Sequence, residues 1–418
     1  MRKVLSHRGL RLVFIANLIS MLGSGLNSAA VVWYVLEQTK SEMNLAWLIM
    51  LQTLPALVLL PFSGVLIDRE DRRHLLMMLD ILRGGVILTV ALLAVQHRVQ
   101  LWQLYLMNML VATGFWMFWP TVTALIQELS PEAEFVQSNT ILMAGVQGGW
   151  LIAGSIVGFL YNHIGLGPIL LIDVSTYVVS FLLYFGVRKG RHVVKRPQPE
   201  EEQIAIAPAA GPVDKYFAEL KEGFAYVRAH HEVIALGVSW ALFLGAMLTQ
   251  GIITAPLSER VLHTGAVGYG WMNGAWGIGA FLSALYAQKF IQRLPGRAGV
   301  AFGFAVLAGG MYLTPFSRFI QFAVLFFFMM GSARGLLGIT MNSTMMELVP
   351  KHFMGRVQNT FYFAGIWLQL VLGVLVGIVA HRRSLTLAYW CVGVTYTVAF
   401  ALSAFSRKPV PSAERVLA

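Results

Sequence analysis

Apolar residues fall in long blocks along this 418-residue chain. A bilayer demands roughly 20 apolar residues per helical crossing. On that measure the blocks lie near 12–35, 45–67, 75–96, 101–126, 138–161, 167–187, 233–257, 265–288, 299–316, 319–345, 357–380 and 385–406, twelve predicted spans. The first block is too long for a signal-peptide core and lacks a small-residue cleavage pattern, so it is expected to stay as a helix. One long polar stretch, roughly 188–232, separates the sixth span from the seventh. It opens with Arg188, Lys189, Arg191, Lys195 and Arg196 and runs into a Pro/Glu/Ala-rich flexible linker. Between 214 and 233, Phe217, Leu220, Phe224 and Val227 recur at helical spacing against Lys215, Glu219, Lys221, Glu222 and Arg228. That pattern predicts an amphipathic helix lying along a membrane surface. The expected organisation is a six-helix half (1–187), a linker with a surface helix (188–232), a second six-helix half (233–406) and a tail (407–418).

Composition supports an all-α membrane protein. The chain is 57% hydrophobic and 12% charged, half the ~25% charge of an ordinary globular domain. Its single cysteine, Cys391, excludes a disulfide framework, a zinc cluster or an iron–sulfur site. The net charge of +11 reads as topology, because twenty-three Lys and Arg fall on the side of the termini and six on the other. By the positive-inside rule both termini are cytoplasmic, and the protein is expected in the cell inner (plasma) membrane. No nucleic-acid partner is implied.

A weak internal repeat divides the chain. T-V-T-A-L-I-Q-E-L-S-P (121–131) is followed by V-Q-S-N-T, and T-M-N-S-T-M-M-E-L-V-P (340–350) by V-Q-N-T. The offset of 219 places Glu128 on Glu347 and Pro131 on Pro350. Two pseudo-symmetric halves of this kind build several secondary transporters, with the substrate at the midplane between them.

Between the second and third spans stands G-V-L-I-D-R-E-D-R-R (64–73), in which six of ten residues are charged, three of each sign, so the loop must stay at the membrane surface. It resembles motif A of the major facilitator superfamily, G-x-x-x-D-R-x-G-R-R/K. Gly64, Asp68, Arg69, Arg72 and Arg73 match, and Asp71 replaces the second glycine. At the offset of 219, Gly64 falls on Ser283 and Asp68 on Ala287, so the second copy has decayed. Together with D-x-x-R (Asp80, Arg83) and G-R-V (Gly355, Arg356, Val357), the pattern is similar to the branch holding macrolide efflux proteins and the enterobactin exporter. A-L-I-Q-E-L-S-P-E, I-D-V-S and E-L-K-E-G-F-A-Y-V-R are further echoes. The resemblance implies a twelve-helix major facilitator fold whose halves rock about a cavity lined by spans 1, 4, 7 and 10. It implies a secondary transporter exporting a hydrophobic or amphiphilic small molecule in exchange for protons. It also implies that Asp68 caps the start of the eleventh span, near Gly355, in one of two states. Where proton antiporters of the superfamily often carry G-P, the fifth span reads G-V-Q-G-G-W-L-I-A-G-S-I-V-G, with Gly145, Gly149, Gly154 and Gly158 as small faces for close helix approach. A siderophore or lipid-like cargo, or a receptor or scaffold that has lost transport, are the other readings.

Several residues are candidates for chemistry. Arg69, Arg72 and Arg73 can pair with Glu70, Asp71 or Glu128, or contact anionic lipid. Asp80 and Arg83 share a helix face at i, i+3, where mutual pairing is the cheapest solution for two intramembrane charges. Asp173 reads either as a titrating carboxylate or as a partner for the hydroxyls of Thr176 and Tyr177. Arg334 is a mid-span cation, open to an anionic cargo, a backbone carbonyl or Asp80. Asn17, Ser20, Ser24, Asn27 and Ser28 form one polar stripe on the first span, suited to a cavity wall or to interhelical hydrogen bonds. Phe115, Trp116, Phe118 and Trp119 on the fourth span suit lipid-facing packing or an aromatic wall for a bulky substrate. All ten histidines fall in loops or at span ends, and no nucleotide-binding, nucleophile-elbow or H-x-x-x-H pattern occurs. The chain is therefore not expected to be an enzyme or to need a cofactor or metal, and one chain holding both halves is expected to act as a monomer.

Overall fold

Backbone amides cannot be left unpaired in hydrocarbon, so an apolar chain of this kind has to resolve into helices. The computed structural model describes residues 6–131, 134–187, 212–294 and 296–405, with the side chains at 60–69, 135–136, 212–217, 219, 231–232, 284–285, 288, 347, 351–353 and 405 outside the description. The helices are α1 (Arg8–Thr39), α2 (Glu42–Arg69), α3 (Arg72–Val95), α4 (Leu101–Leu129), α5 (Phe135–Ile164), α6 (Leu166–Phe185), α7 (Pro212–Ala229), α8 (His231–Pro256), α9 (Gly265–Arg293), α10 (Arg297–Leu313), α11 (Ile320–Leu348), α12 (Lys351–Arg382) and α13 (Leu385–Phe405). No strand occurs among the described residues. Spans one to six are α1–α6, spans seven to twelve are α8–α13, and α7 is the surface helix. Eleven of these helices are long and apolar enough to cross a membrane. The remaining span, α9, is 29 residues long and six of them are glycine, which lowers its hydropathy but lets its backbone lie close to a neighbour. Most of the expected linker (188–211) and the tail from 406 onward lie outside the described residues.

Helix ends differ from the hydropathy blocks because polar end-turns continue into the headgroup zone. The eleventh span begins at Lys351, behind Pro350 as N-cap, so Gly355 and Arg356 sit a turn inside α12 rather than at its start. Lys289 and Arg293 ride on the last turns of α9. The surface helix stops at Ala229 rather than 233, because His230 leaves helical dihedrals (φ −121°, ψ 87°) before α8 starts. Its Gly223 lies against the Arg356 carbonyl of α12, and Glu222 pairs with Arg356 at 2.9 Å. Leu220 and Val227 turn inward, whereas Phe224 is 61% exposed and points away from the bundle.

The two halves repeat the same helix pairings. In the first, α1 packs on α5 and α6, α3 on α4 and α6, and α2 on α4. In the second, α8 packs on α12 and α13, α10 on α11 and α13, and α9 on α11. Between halves the main pairings are α5 with α9 and α2 with α12. Turns are short: Lys40 and Ser41 join α1 to α2, and Gly165 alone, at φ +71°, joins α5 to α6. A single-residue reversal at that φ is a position that favours glycine. The face where α1 begins is called the near face below, and the opposite one the far face.

Candidate functional site

At the near face, the loop between α2 and α3 holds the charged motif. The side chains of Gly64, Asp68 and Arg69 lie outside the described residues. Asp71 Oδ1 accepts from the backbone amides of Arg73 (2.9 Å) and His74 (3.2 Å), so the residue that replaces the motif's second glycine is the N-cap of α3. Arg72 pairs with Glu128 of α4 at 2.6 Å. Arg73 donates to the carbonyls of Tyr184 (2.8 Å) and Phe185 (2.6 Å), neutralising the negative end of α6.

Deeper in the first half lies a buried charge cluster. Arg83 Nη2 donates to Asp80 Oδ1 at 2.7 Å, and both side chains are almost completely buried. Ser180 of α6 donates to the other Asp80 oxygen at 2.7 Å. The guanidinium is sandwiched between the rings of Phe118 (4.8 Å) and Tyr177 (4.6 Å). A desolvated cation–π contact is worth about 2 kcal/mol or more. Gly114 makes the room, since a Cβ there would lie 2.7 Å from Arg83 Cδ. On the same helix as Ser180, Asp173 is wholly buried and accepts from Asn27 Nδ2 of α1 at 2.8 Å. Thr176 Oγ1 lies 3.3 Å from its Oδ1, while Tyr177 OH turns to Ser24 at 3.0 Å. The cluster thus holds two carboxylates for one guanidinium.

The polar stripe of α1 divides accordingly. Ser24 and Asn27 are used in these bonds to α6. Asn17 and Ser20 are fully buried, with Asn17 facing the Gly145 position of α5. On α4, Phe118 belongs to the charge cluster, Phe115 packs half-buried against the near-face core, and Trp116 meets Tyr362 of α12 edge-on at 6.3 Å. Trp119, half-buried, lies a turn beyond Phe115.

The seam between halves combines the α5 glycines that the sequence marks as small faces with polar pairings that it does not reveal. The glycines of α5 split in function: Gly145 and Gly149 approach α1, whereas Gly154 and Gly158 face α9, opposite Asn273, Gly274 and the Ala266 backbone. Gly270 and Gly277 return the contact from α9. Between α2 and α12, Gln369 Nε2 donates to Thr53 Oγ1 at 2.6 Å, both buried. Within the first half, Gln52 donates to Asn108 (2.6 Å) and Trp116 to the Gln52 carbonyl (3.1 Å). At the far-face end, Glu42 is completely buried at the start of α2. It is held by Arg260, from the π-helical turn Leu257–Val261 after α8, and His381 Nδ1 of α12 lies 3.4 Å from its other oxygen. Lys40 bridges the same gap to Glu259 at 3.1 Å, and its carbonyl accepts from Arg260. The only sequence signal was a set of isolated polar residues at span ends, with nothing to say they meet.

Arg334 sits mid-way along α11, half-buried, with Nε donating to Met247 Sδ of α8 at 3.1 Å. It is not part of the Asp80 cluster. Among the described residues no group of three or more His, Cys, Asp or Glu is placed to hold a metal ion.

The sequence profile of the Major Facilitator Superfamily matches residues 13–359. Macrolide efflux protein A of Streptococcus pyogenes is 22% identical over 54% of this chain and 53% of its own length. The multidrug efflux pump Tap of Mycolicibacterium fortuitum is 22% identical over 83% of each chain. Among solved structures, the nucleoside transporter NupG superposes with a TM-score of 0.71 at 13% identity, covering 96% of this chain and 99% of that one. At that identity the likeness is one of fold.

Proposed function

The chain belongs to the major facilitator superfamily, and from that premise we propose a proton-coupled exporter of a hydrophobic or amphiphilic small molecule working by alternating access. The observation that carries this reading is the seam. Each half is held by many packed helix pairs and buried hydrogen bonds, whereas the halves meet mainly along two helix pairs, through glycine backbones, the Trp33–Tyr269 and Trp116–Tyr362 ring contacts, one buried Gln–Thr bond and an ion cluster at one end. Contacts of that kind can be broken and remade without unpacking either half. Export is the activity of the relatives macrolide efflux protein A and the multidrug efflux pump Tap. The excess carboxylate beside Arg83 supplies an intramembrane acid of the type that carries a coupling proton.

The near face is cytoplasmic on the distribution of Lys and Arg. Asp68 then docks on the free N–H groups at the start of α12, now placed at Lys351, when the cytoplasmic side is closed. One chain of both halves works as a monomer in the inner membrane. Inverted membrane vesicles with a pH-sensitive dye test the proposal against macrolides, cationic dyes, siderophores and lipid-like amphiphiles. Cargo-dependent collapse of the imposed pH gradient supports exchange. No flux with any member of the panel would instead indicate a receptor or scaffold on the same fold.

A further inference from the structure

Arg334 stands fourteen residues from each end of α11, about 21 Å at 1.5 Å per residue, so its side chain cannot reach either headgroup zone. The second half offers it no counter-charge. From residue 233 onward the chain to 405 contains two acidic residues, Glu259 in the far-face turn and Glu347, which is thirteen residues along α11 and about 20 Å away. Among the described residues its one hydrogen-bond acceptor is the Met247 thioether, a weak one. Tyr396 of α13 is the ionisable group that faces it. Arg83 Nη1 is sealed and unpartnered, whereas Arg334 is half-buried and neither of its Nη groups is sealed in that way.

Arg334 lies on the side of α11 that faces α8 and α13, away from lipid. The lipid face of α11 is marked by Phe322, Leu325 and Met329, each about half exposed. Arg334 lies nine residues past Leu325, which at about 100° per residue is the opposite side. One turn further on, Gly338 has no atom within 4 Å of where a Cβ would sit. Carried back by the 219-residue repeat, Leu325 falls on Leu106, which is 42% exposed, and Arg334 falls on Phe115. The equivalent position in the first half is therefore aromatic.

We infer that Arg334 is the anion-recognition point of the cargo site, and that the cargo is an amphiphile bearing a carboxylate or phosphate, its apolar body lying toward the Phe115 side. This rests on the proposed exporter reading, in which the cargo passes between the two halves. A guanidinium with free Nη groups presents the paired donors that such oxyanions accept. A cation in that position repels an ammonium-bearing cargo, so the inference narrows the broad amphiphile class.

The test uses the full chain in phosphatidylcholine nanodiscs and three probes of one shape: 2-naphthoate, 2-naphthalenemethanol and (2-naphthylmethyl)trimethylammonium. Calorimetric titration, corrected with empty discs, is expected to give tightest binding for naphthoate. Arg334→Gln is expected to weaken naphthoate binding roughly ten- to hundredfold and to leave the alcohol unchanged, with Arg334→Lys in between. Thermal unfolding of both variants separates this from misfolding. Equal or tighter binding of the ammonium probe, no naphthoate binding above empty discs, or naphthoate binding unaffected in a folded Arg334→Gln protein overturns the inference. Discs containing phosphatidylglycerol distinguish the source of the anion: if that lipid abolishes naphthoate binding, the site takes a lipid headgroup and the cargo assignment falls. Because binding is read without flux, failure of transport in vesicles leaves this outcome independent.

Discussion

Replacing Gly158 by alanine should open the far face. Gly158 lies six residues from the end of α5, where that helix touches α9. A Cβ at this position would collide with the Ala266 carbonyl oxygen, lie 2.6 Å from its carbon and 2.8 Å from Val267 Cα. All three atoms are backbone, so no side-chain rotation relieves the clash, and the helices must part by about 1.4 Å to reach ordinary contact. Overpacking of this kind costs about 1–3 kcal/mol. The cost falls on the conformer with the far face closed, so the equilibrium should move by roughly 5- to 150-fold. The assay is maleimide labelling of a cysteine at Asn273, which sits in the seam opposite Gly154, in a background where the half-buried Cys391 is serine. Gly158→Ala should raise labelling by about fivefold or more. Gly85→Ala is the control, because Gly85 has nothing within 4 Å and should gain a few tenths of a kcal/mol in helix stability without changing labelling. Equal labelling of the Gly158→Ala and parent proteins, both folded, would refute the reasoning.

Glu42→Gln should also raise labelling at residue 273, by about two- to tenfold, since it removes the charge shared by Arg260 and His381; Arg260 is 43% exposed, which limits the effect. Arg83→Met should strand Asp80 and cost about 3–5 kcal/mol in denaturant unfolding, whereas the Asp80→Asn, Arg83→Met double variant should recover much of it; equal losses would exclude a paired role. Asp71→Ala should lose the cap of α3 and lower stability by about 1 kcal/mol, read from the same unfolding curves. Asp68→Asn should slow cargo flux in vesicles while naphthoate binding stays intact, and unchanged turnover would remove the latch assignment.

Hydropathy made the helices legible because each span must satisfy its own backbone, so length and composition alone mark it. The i, i+3 spacing of Asp80 and Arg83 likewise placed them within reach of one another. What a single sequence could not carry was the partner across helices. Ser180 and Asp80 are a hundred residues apart, Asn27 and Asp173 146, and Thr53 and Gln369 316. Each is an unremarkable polar residue in its own span, and only the tertiary pairing gives it meaning. Asp71 was different: an acidic residue just before an apolar helical run is a local capping signal, and it was obscured by reading the position as a departure from a motif. The start of α12 was placed four residues late because the hydropathy block begins after Lys351, whereas Pro350 sets the actual boundary.

The two halves share pairings but not chemistry, and that difference bears on mechanism. Where α3 carries Asp80 and Arg83, the 219-residue offset gives Gly299 and Phe302 on α10. Where α6 carries Asp173, the equivalent helix α13 holds no charged residue at all. Conversely, Arg334 has an aromatic counterpart. A duplicated scaffold has no structural need for such asymmetry, because the second half packs the α10–α13 interface with Phe304, Tyr396 and Tyr312 instead of ions. The ions of the first half therefore are not demanded by the fold. An intramembrane charge cluster that the sister half does without is costly to keep, and the cost is offset only if the charges do something the packed version cannot. Under the proposed function, proton exchange would belong to the first half and recognition of the cargo's charge to the second, and rocking about the glycine seam would couple them, since one rigid motion moves both.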